Sequence, residues 1–115
     1  MQKQYTVEEI QTILTQAKIS AQNASQKYFD EKMGGEDNFP CGFAWVNIYG
    51  IKGNTKMGRA MKQAGIEKDY SGSYKIWNPG NLNVQNVEVK SAGAEACADV
   101  FKQYGFTAYA GDRLD

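Results

Sequence analysis

The chain has 115 residues, which suits one globular domain (residues 1–115) and is too short for two of ordinary size. Its 13 basic and 13 acidic residues give a formal net charge of zero, which argues against a generally basic nucleic-acid binder and against an acidic disordered tail. Histidine is absent, which excludes Ser-His-Asp and Cys-His nucleophile systems and the commonest zinc ligand. We therefore expect no metal site and no cofactor, and we favour a binding protein over an enzyme.

Neither a membrane span nor an export signal is indicated. The apolar stretches are far shorter than the roughly 18–20 residues that cross a bilayer, and the N-terminus lacks the pattern of a secretory signal. A cytoplasmic protein without membrane contact is expected. Cys41 and Cys97 are interpreted as small buried hydrophobic residues, with a disulfide as the alternative.

The first predicted element is a long helix. Thr6 and Glu9 form a capping box, and small or apolar residues then recur every three or four positions. Gly34-Gly35 predicts that the helix ends near Lys32. Alanines occupy the middle of the stripe, so its partner must approach the backbone closely. A sheet or a second helix fits better than a coiled-coil seam.

Residues 41–49 are typical of a strand. Both faces are largely apolar, which predicts a central strand covered on two sides. The small residues Gly42 and Ala44 suit contact with the alanine stripe of the first helix.

The rest of the chain alternates between helices and strands. We predict a short helix capped by Asn54 or Thr55, a strand at residues 74–77 closed by a turn at 78–81, a helix from Val89 to Tyr104, and a last strand at 106–110. Residues 82–87 fit either an extended segment or a helix entry. Together these elements predict an α+β or small α/β domain, with a long N-terminal helix and two shorter helices packed on a three- to four-stranded sheet. Each connection between strands contains a helix and is long enough for a parallel crossover.

Positive charge is concentrated in the middle of the chain. Residues 39–79 contain six basic and two acidic residues, whereas both flanking segments are mildly acidic. The strand-to-helix turn at residues 50–56 contains glycines and lysines in front of a helix, a combination that binds phosphate through backbone N–H groups and the helix dipole. The turn matches neither a Walker A loop nor GxGxxG, and a solvated lysine face is the commoner alternative. The candidate ligand-binding residues here are Lys52, Asn54, Thr55, Lys56 and Arg59.

A second candidate site combines aromatic rings with amides. Rings stack on bases and amides bind base edges, so this set suits a nucleotide or single-stranded nucleic acid, although core packing is the commoner role of such rings. Asn47 is the most informative member, because an amide within an apolar strand must be satisfied by the core or by a ligand. The candidate ligand-binding residues are Asn47, Trp77 and Asn78, and their expected neighbours are Trp45, Tyr49, Tyr70, Tyr74 and Asn81.

Three segments carry a resemblance to known sequences: residues 41–47, Trp77-Asn78-Pro79, and residues 108–115. They resemble small uncharacterised proteins of tailed bacteriophages, including phages of marine bacteria. The resemblance covers about residues 39–115. It implies a phage origin and a host-cell setting, and it supplies no activity.

The leading hypothesis is a small non-enzymatic phage accessory protein that binds a nucleotide-like anion or a host protein. One alternative is a histidine-independent enzyme acting on nucleotides or nucleic acid, which requires a pocket with at least two carboxylates. The other is a structural or assembly protein that forms homo-oligomers through the first helix or a sheet edge. The neutral charge argues against extended nucleic-acid binding.

Overall fold

Residues 4–115 are described by a computed structural model. Within this range the elements are α1 (Val7–Lys32), β1 (Gly42–Tyr49), α2 (Lys56–Gln63), β2 (Glu67–Lys68), β3 (Tyr74–Trp77), α3 (Val87–Gln103) and β4 (Thr107–Leu114). The predicted α+β class, with its long N-terminal helix and two shorter helices, is confirmed. None of these helices has the length and apolar character needed to cross a bilayer.

Local signals set both ends of α1. The Thr6 hydroxyl accepts a hydrogen bond from the Glu9 N–H at 3.1 Å, and the Glu9 carboxylate accepts one from the Thr6 N–H at 2.9 Å. Beyond Lys32, Gly34 and Gly35 have φ of +64° and +77°, the left-handed conformation that glycine adopts without strain. The predicted capping box and helix end are confirmed.

The alanine stripe of α1 packs mainly against α3. At the crossing, the buried Ser25 hydroxyl donates a hydrogen bond to the Val89 carbonyl at 2.8 Å. Gly80 and Gly93 lie so close to Ser25 that neither position has room for a side chain. The predicted close approach to the backbone of α1 is therefore made by α3 and by the turn that contains Gly80. The small Gly42 of β1 lies instead against Val87, at the start of α3.

The sheet has the strand order β2-β3-β1-β4, and every neighbouring pair is antiparallel. The expected parallel crossover between the strands at 41–49 and 74–77 is therefore wrong, because β2 reverses the chain before β3. β3 and β4 run in the same direction with β1 between them. From β1 onward the order is the split βαβ arrangement, β-α-β-β-α-β.

The elements add to or differ from the predictions in three places. The two-residue β2 was not predicted, and β4 continues to Leu114, four residues past the expected end. The undecided segment at 82–87 is a helix entry: α3 begins at Val87, and the Asn86 side chain caps it by accepting from the N–H groups of Glu88 and Val89.

One face of the sheet is covered and the other is open. On β1 the buried residues are Gly42, Ala44, Val46 and Ile48, which face the helices. The alternate residues Phe43, Trp45, Asn47 and Tyr49 are half-buried or exposed. β1 is a central strand, as predicted, but the prediction that both of its faces are covered is wrong, because all three helices belong to the other side.

Candidate functional site

The predicted anion loop between β1 and α2 satisfies several of its own polar groups. The Thr55 hydroxyl donates to the Lys52 carbonyl at 2.6 Å and accepts from the Gly58 N–H at 3.1 Å, as the cap of α2. The Arg59 guanidinium donates to the Asn54 carbonyl at 3.1 Å. Thr55 and Arg59 therefore hold the loop in shape. Lys52 and Lys56 remain exposed on its surface.

An open depression of about 590 Å³ lies beside this loop. Lys52 and Asn54 line it, together with Lys68 of β2. The Lys68 ammonium packs over Gly53, where an added Cβ would lie 3.0 Å from its Nζ atom. Lys68 also lines a second cavity.

That second cavity is a groove of about 490 Å³ along the outer edge of β3, here called the edge groove. It exists because β2 is short: its two residues pair only with Lys75 and Tyr74, which leaves Ile76 and Trp77 without a neighbouring strand on that side. α1 forms the opposite wall. The lining residues are Leu14, Lys18, Gln22, residues 65–69, residues 75–79 and Asn81.

Three lysines and two carboxylates give the edge groove its charge. Lys75 forms an ion pair with Asp69 at 2.9 Å. The Ser71 hydroxyl also donates to Asp69, and this hydrogen bond, followed by the one from Lys75, lowers the pKa of Asp69 to about 2. Lys18 and Lys68 have no carboxylate partner among the salt bridges of residues 4–115, so their charges are open to an anion.

The turn after β3 contributes two asparagines to the edge groove. Asn78 and Asn81 have φ of +42° and +49°, a left-handed conformation that asparagine adopts more readily than most residues. The Asn78 N–H donates to the Ala44 carbonyl and the Asn81 N–H to the Asn78 carbonyl, at 2.9 and 3.0 Å. Both residues line the groove, as Trp77 does.

The uncovered side of the sheet, here called the open face, carries aromatic rings from three strands. The rings of Trp45 and Trp77 lie 5.3 Å apart, and those of Tyr49 and Tyr109 lie 6.1 Å apart. The rings exposed by at least a third are Phe43 (37%), Tyr49 (44%), Tyr109 (56%) and Trp77 (57%). A solvent-exposed cluster of this kind usually marks a contact surface.

Cations lie over most of these rings. The Lys75 ammonium is 5.3 Å from the Trp45 ring centroid and 5.2 Å from that of Trp77. These distances fall within the range of cation–π attraction. The other pairs are Lys90 and Arg113 over Phe43, at 5.3 and 5.4 Å, and Lys102 over Tyr109, at 5.4 Å.

Asn47 occupies the centre of the open face, between Lys75 on β3 and Tyr109 on β4. Its amide oxygen accepts a hydrogen bond from the buried Ser73 hydroxyl at 3.2 Å. This arrangement leaves the Asn47 amide N–H groups for a ligand. Beside it, the Trp45 ring lies across Gly111, where an added Cβ would be 2.7 Å from the indole Nε1 atom. That buried Nε1 has no hydrogen-bond partner among the residues described.

The structure separates the predicted ligand-binding residues into two groups. Trp77 and Asn78 lie together in the edge groove, and Asn47 lies nearby on the open face. The loop residues 52–59 are not among the residues that line this groove. Of the expected neighbours, Tyr74 is buried on the helix side, where its hydroxyl donates to the Gly58 carbonyl at 3.2 Å. Tyr70 is fully exposed outside the strands.

Sequence reasoning did not single out Lys18 and Lys75 in the groove, or Phe43, Tyr109 and Arg113 on the open face. The available signal was the two-residue period of a strand, which places Tyr109 and Arg113 on one side of β4 if the strand is extended past residue 110. No sequence pattern marked Lys18 as a site residue, because its position in the groove depends on how α1 packs against the rest of the fold.

Comparisons with known proteins returned no match: no family model, no curated protein and no solved structure resembles this chain. Among residues 4–115 there is no group of three or more Cys, Asp and Glu side chains placed to hold a metal ion. What the site can do therefore rests on its own geometry.

Proposed function

We propose that this protein binds a nucleotide-like anion, a base with an attached phosphate, in the edge groove. The observation that carries the proposal is that one groove brings the exposed Trp77 ring together with Asn78, Asn81 and the unpaired lysines Lys18 and Lys68. Its volume of about 490 Å³ suits a ligand of nucleotide size, since small-molecule sites span roughly 300–1,000 Å³.

Each group has a distinct role in this proposal. The Trp77 ring stacks on the base, an interaction worth about 1–3 kcal/mol. The amides of Asn78 and Asn81 bind the base edge, because an amide both donates and accepts hydrogen bonds. Lys18 binds the phosphate as a point charge, and Lys68, whose ammonium lies over Gly53, adds positive charge to the groove. Lys75 is already paired with Asp69, so its main effect is on the neighbouring rings.

Binding without catalysis is favoured by the state of the carboxylates. The edge groove contains two, Glu67 and Asp69, which is the minimum that the enzyme hypothesis requires. A general acid or base needs a pKa near the working pH, and Asp69 has a pKa of about 2. Glu67 is then left without a partner for acid–base chemistry. With the resemblance to tailed-phage proteins, the proposal becomes an accessory protein that binds a nucleotide in the cytoplasm of the host.

The test is a titration with the four ribonucleoside monophosphates and with inorganic phosphate, followed by tryptophan fluorescence and calorimetry. We expect saturable binding of the nucleotides, weaker binding of phosphate alone, and a loss of about tenfold in Trp77→Ala, the equivalent of one stacked base. Trp77→Phe retains a ring and should bind nearly as well as the native protein. Absence of saturable nucleotide binding overturns the proposal.

A matched pair of charge reversals locates the phosphate. Lys18→Glu changes the edge groove, whereas Lys56→Glu makes the same change on an exposed helical lysine at the predicted anion loop. We expect a loss of about tenfold or more for Lys18→Glu and little change for Lys56→Glu, because salt screens distant surface charges within about 10 Å. The reverse order assigns the ligand to the loop and refutes the groove.

A further inference from the structure

We propose that the ligand is a short single strand of nucleic acid, which runs from the edge groove across the open face of the sheet. This inference rests on the proposed function and names its ligand class. The groove alone holds about one nucleotide, and the open face supplies platforms for those that follow.

The first step is continuity between the two surfaces. Lys75 and Trp77 line the edge groove and also belong to the open face, since they pair with Asn47 and Trp45 of β1. A base on Trp77 therefore lies next to the Trp45 ring, 5.3 Å away. A strand leaving the groove meets this second ring next, with the Lys75 ammonium beside both rings.

The second step is the layout of the platforms across the sheet. Trp77, Trp45 and Gly111 are aligned across β3, β1 and β4. The Trp45 ring packs over the backbone of Gly111, where a side chain would collide with it. Tyr109 lies one row further along β4, and Phe43 lies at the opposite end of β1. From residue 43 to residue 49 the face is about 20 Å long, at roughly 3.4 Å per residue. That length accommodates about three or four bases.

The third step is the placement of charge. Lys75, Lys90, Lys102 and Arg113 each lie within 5.4 Å of a ring centroid on the open face. A nucleotide presents the complementary pattern, a flat ring next to a negative phosphate. Two of these cations are already paired, Lys75 with Asp69 at 2.9 Å and Lys102 with Asp99 at 3.8 Å. Lys90 and Arg113 have no carboxylate partner among the salt bridges of residues 4–115. Glu67 on β2 and Asp115 opposite Cys41 lie at the margins of the face. So few cations suit a short strand, in keeping with a net charge of zero.

The same placement disfavours a protein as the occupant of the open face. Lysine is depleted at the centres of protein–protein interfaces, whereas three of the four cations beside these rings are lysines. At the centre, Asn47 keeps its amide N–H groups for a ligand, since its oxygen accepts from Ser73. A donor between rings suits the polar edge of a base.

The test measures affinity against strand length, with labelled oligothymidylates from a mononucleotide to about eight nucleotides, by fluorescence anisotropy. We expect the affinity to rise about tenfold per added nucleotide up to about four and then to level off. The salt dependence should be shallow, with a slope of log K against log salt of about −1.4 to −2, as two or three phosphate contacts give on single strands.

Two variants separate the face from the groove. Phe43→Ala and Tyr109→Ala remove exposed rings, so both proteins are expected to fold, and circular dichroism checks this. Each should lose about tenfold in binding the tetranucleotide while its mononucleotide binding is unchanged. Trp77→Ala should weaken both ligands, and Tyr70→Ala, an exposed tyrosine off the sheet, is the matched control.

The outcomes are distinct. A mononucleotide that binds as tightly as the octamer overturns this inference and leaves the proposed function standing. Failure of every nucleotide and oligonucleotide to bind overturns both, and a protein is then the remaining occupant of the open face. Oligonucleotide binding that Phe43→Ala and Tyr109→Ala leave unchanged also overturns the inference, because the strand then lies elsewhere.

Discussion

Gly93 sits at the crossing of α1 and α3, and its replacement by alanine tests how closely the two helices approach. An added Cβ would overlap the Ser25 Oγ atom and would lie 3.0 Å from the Gly80 Cα atom and 3.2 Å from the Ala21 carbonyl oxygen. Two of these three neighbours are backbone atoms, which cannot rotate away. Ser25 is fixed as well, because it is buried and donates to the Val89 carbonyl. The helices must therefore separate to admit the methyl group.

The expected effect is the sum of two opposing terms. Alanine is the better helix former by about 1 kcal/mol. Overpacking a close contact costs about 1–3 kcal/mol, and the rigid neighbours of Gly93 place it at the upper end. We expect Gly93→Ala to lower the free energy of unfolding by about 2 kcal/mol and the Tm by roughly 8 °C in a domain of this size.

Urea and thermal denaturation measure the change, and Glu95 supplies the control. Glu95 is exposed on the same helix, so the difference between Glu95→Ala and Glu95→Gly gives the propensity term alone. Ser25→Ala should cost less in the Gly93→Ala background than in the native protein, because it removes one overlapping atom. A Gly93→Ala protein at least as stable as the native one refutes the close crossing.

Three further predictions concern single side chains. Asn86→Ala removes two cap hydrogen bonds and should lower the free energy of unfolding by about 2 kcal/mol in urea denaturation, whereas a loss below about 0.5 kcal/mol contradicts the cap. Ser71→Ala should raise the pKa of Asp69 from about 2 toward 3.8 in an NMR titration. A carboxyl group whose pKa is lowered in the folded state stabilises the fold at pH values above its unfolded pKa of 3.8, and this contribution is lost as the pH falls from 3.8 toward 2. An unchanged Asp69 titration in Ser71→Ala contradicts the assignment. Burial raises the pKa of Cys97 to about 12, so a thiol reagent at about pH 8 should modify Cys41 rapidly and Cys97 only after unfolding, and two fast thiols in the native protein contradict its burial.

Structural features that depend on a few residues close together in the chain could be predicted from the sequence. The capping box of Thr6 and Glu9 defines the start of α1 because both partners lie within one turn. The two-residue β2 carries no periodic pattern and exists only through its pairing with Lys75 and Tyr74. Pairing with another strand cannot be predicted from the two residues of β2 alone.

The open face was misjudged for a physical reason. Apolar residues on both sides of β1 normally indicate burial on both sides. Here Trp45 and Trp77 pack against each other and Lys75 lies over both rings, so the rings shelter one another without a covering layer. The edge groove was equally inaccessible, because it joins Lys18 of α1 to Asn78, which lies sixty positions further along the chain.

The shortness of β2 also leaves part of the sheet edge open to pairing with another chain. An uncovered strand edge is a template for another chain, and β3 leaves such an edge at Ile76 and Trp77. Lys18, Lys68 and Pro79 line the groove along this edge, and Pro79 lacks the N–H that would extend the ladder. Lysine charge at a strand edge disfavours edge-to-edge pairing, so replacing both lysines at once would test the proposed phosphate contact and the tendency to aggregate together.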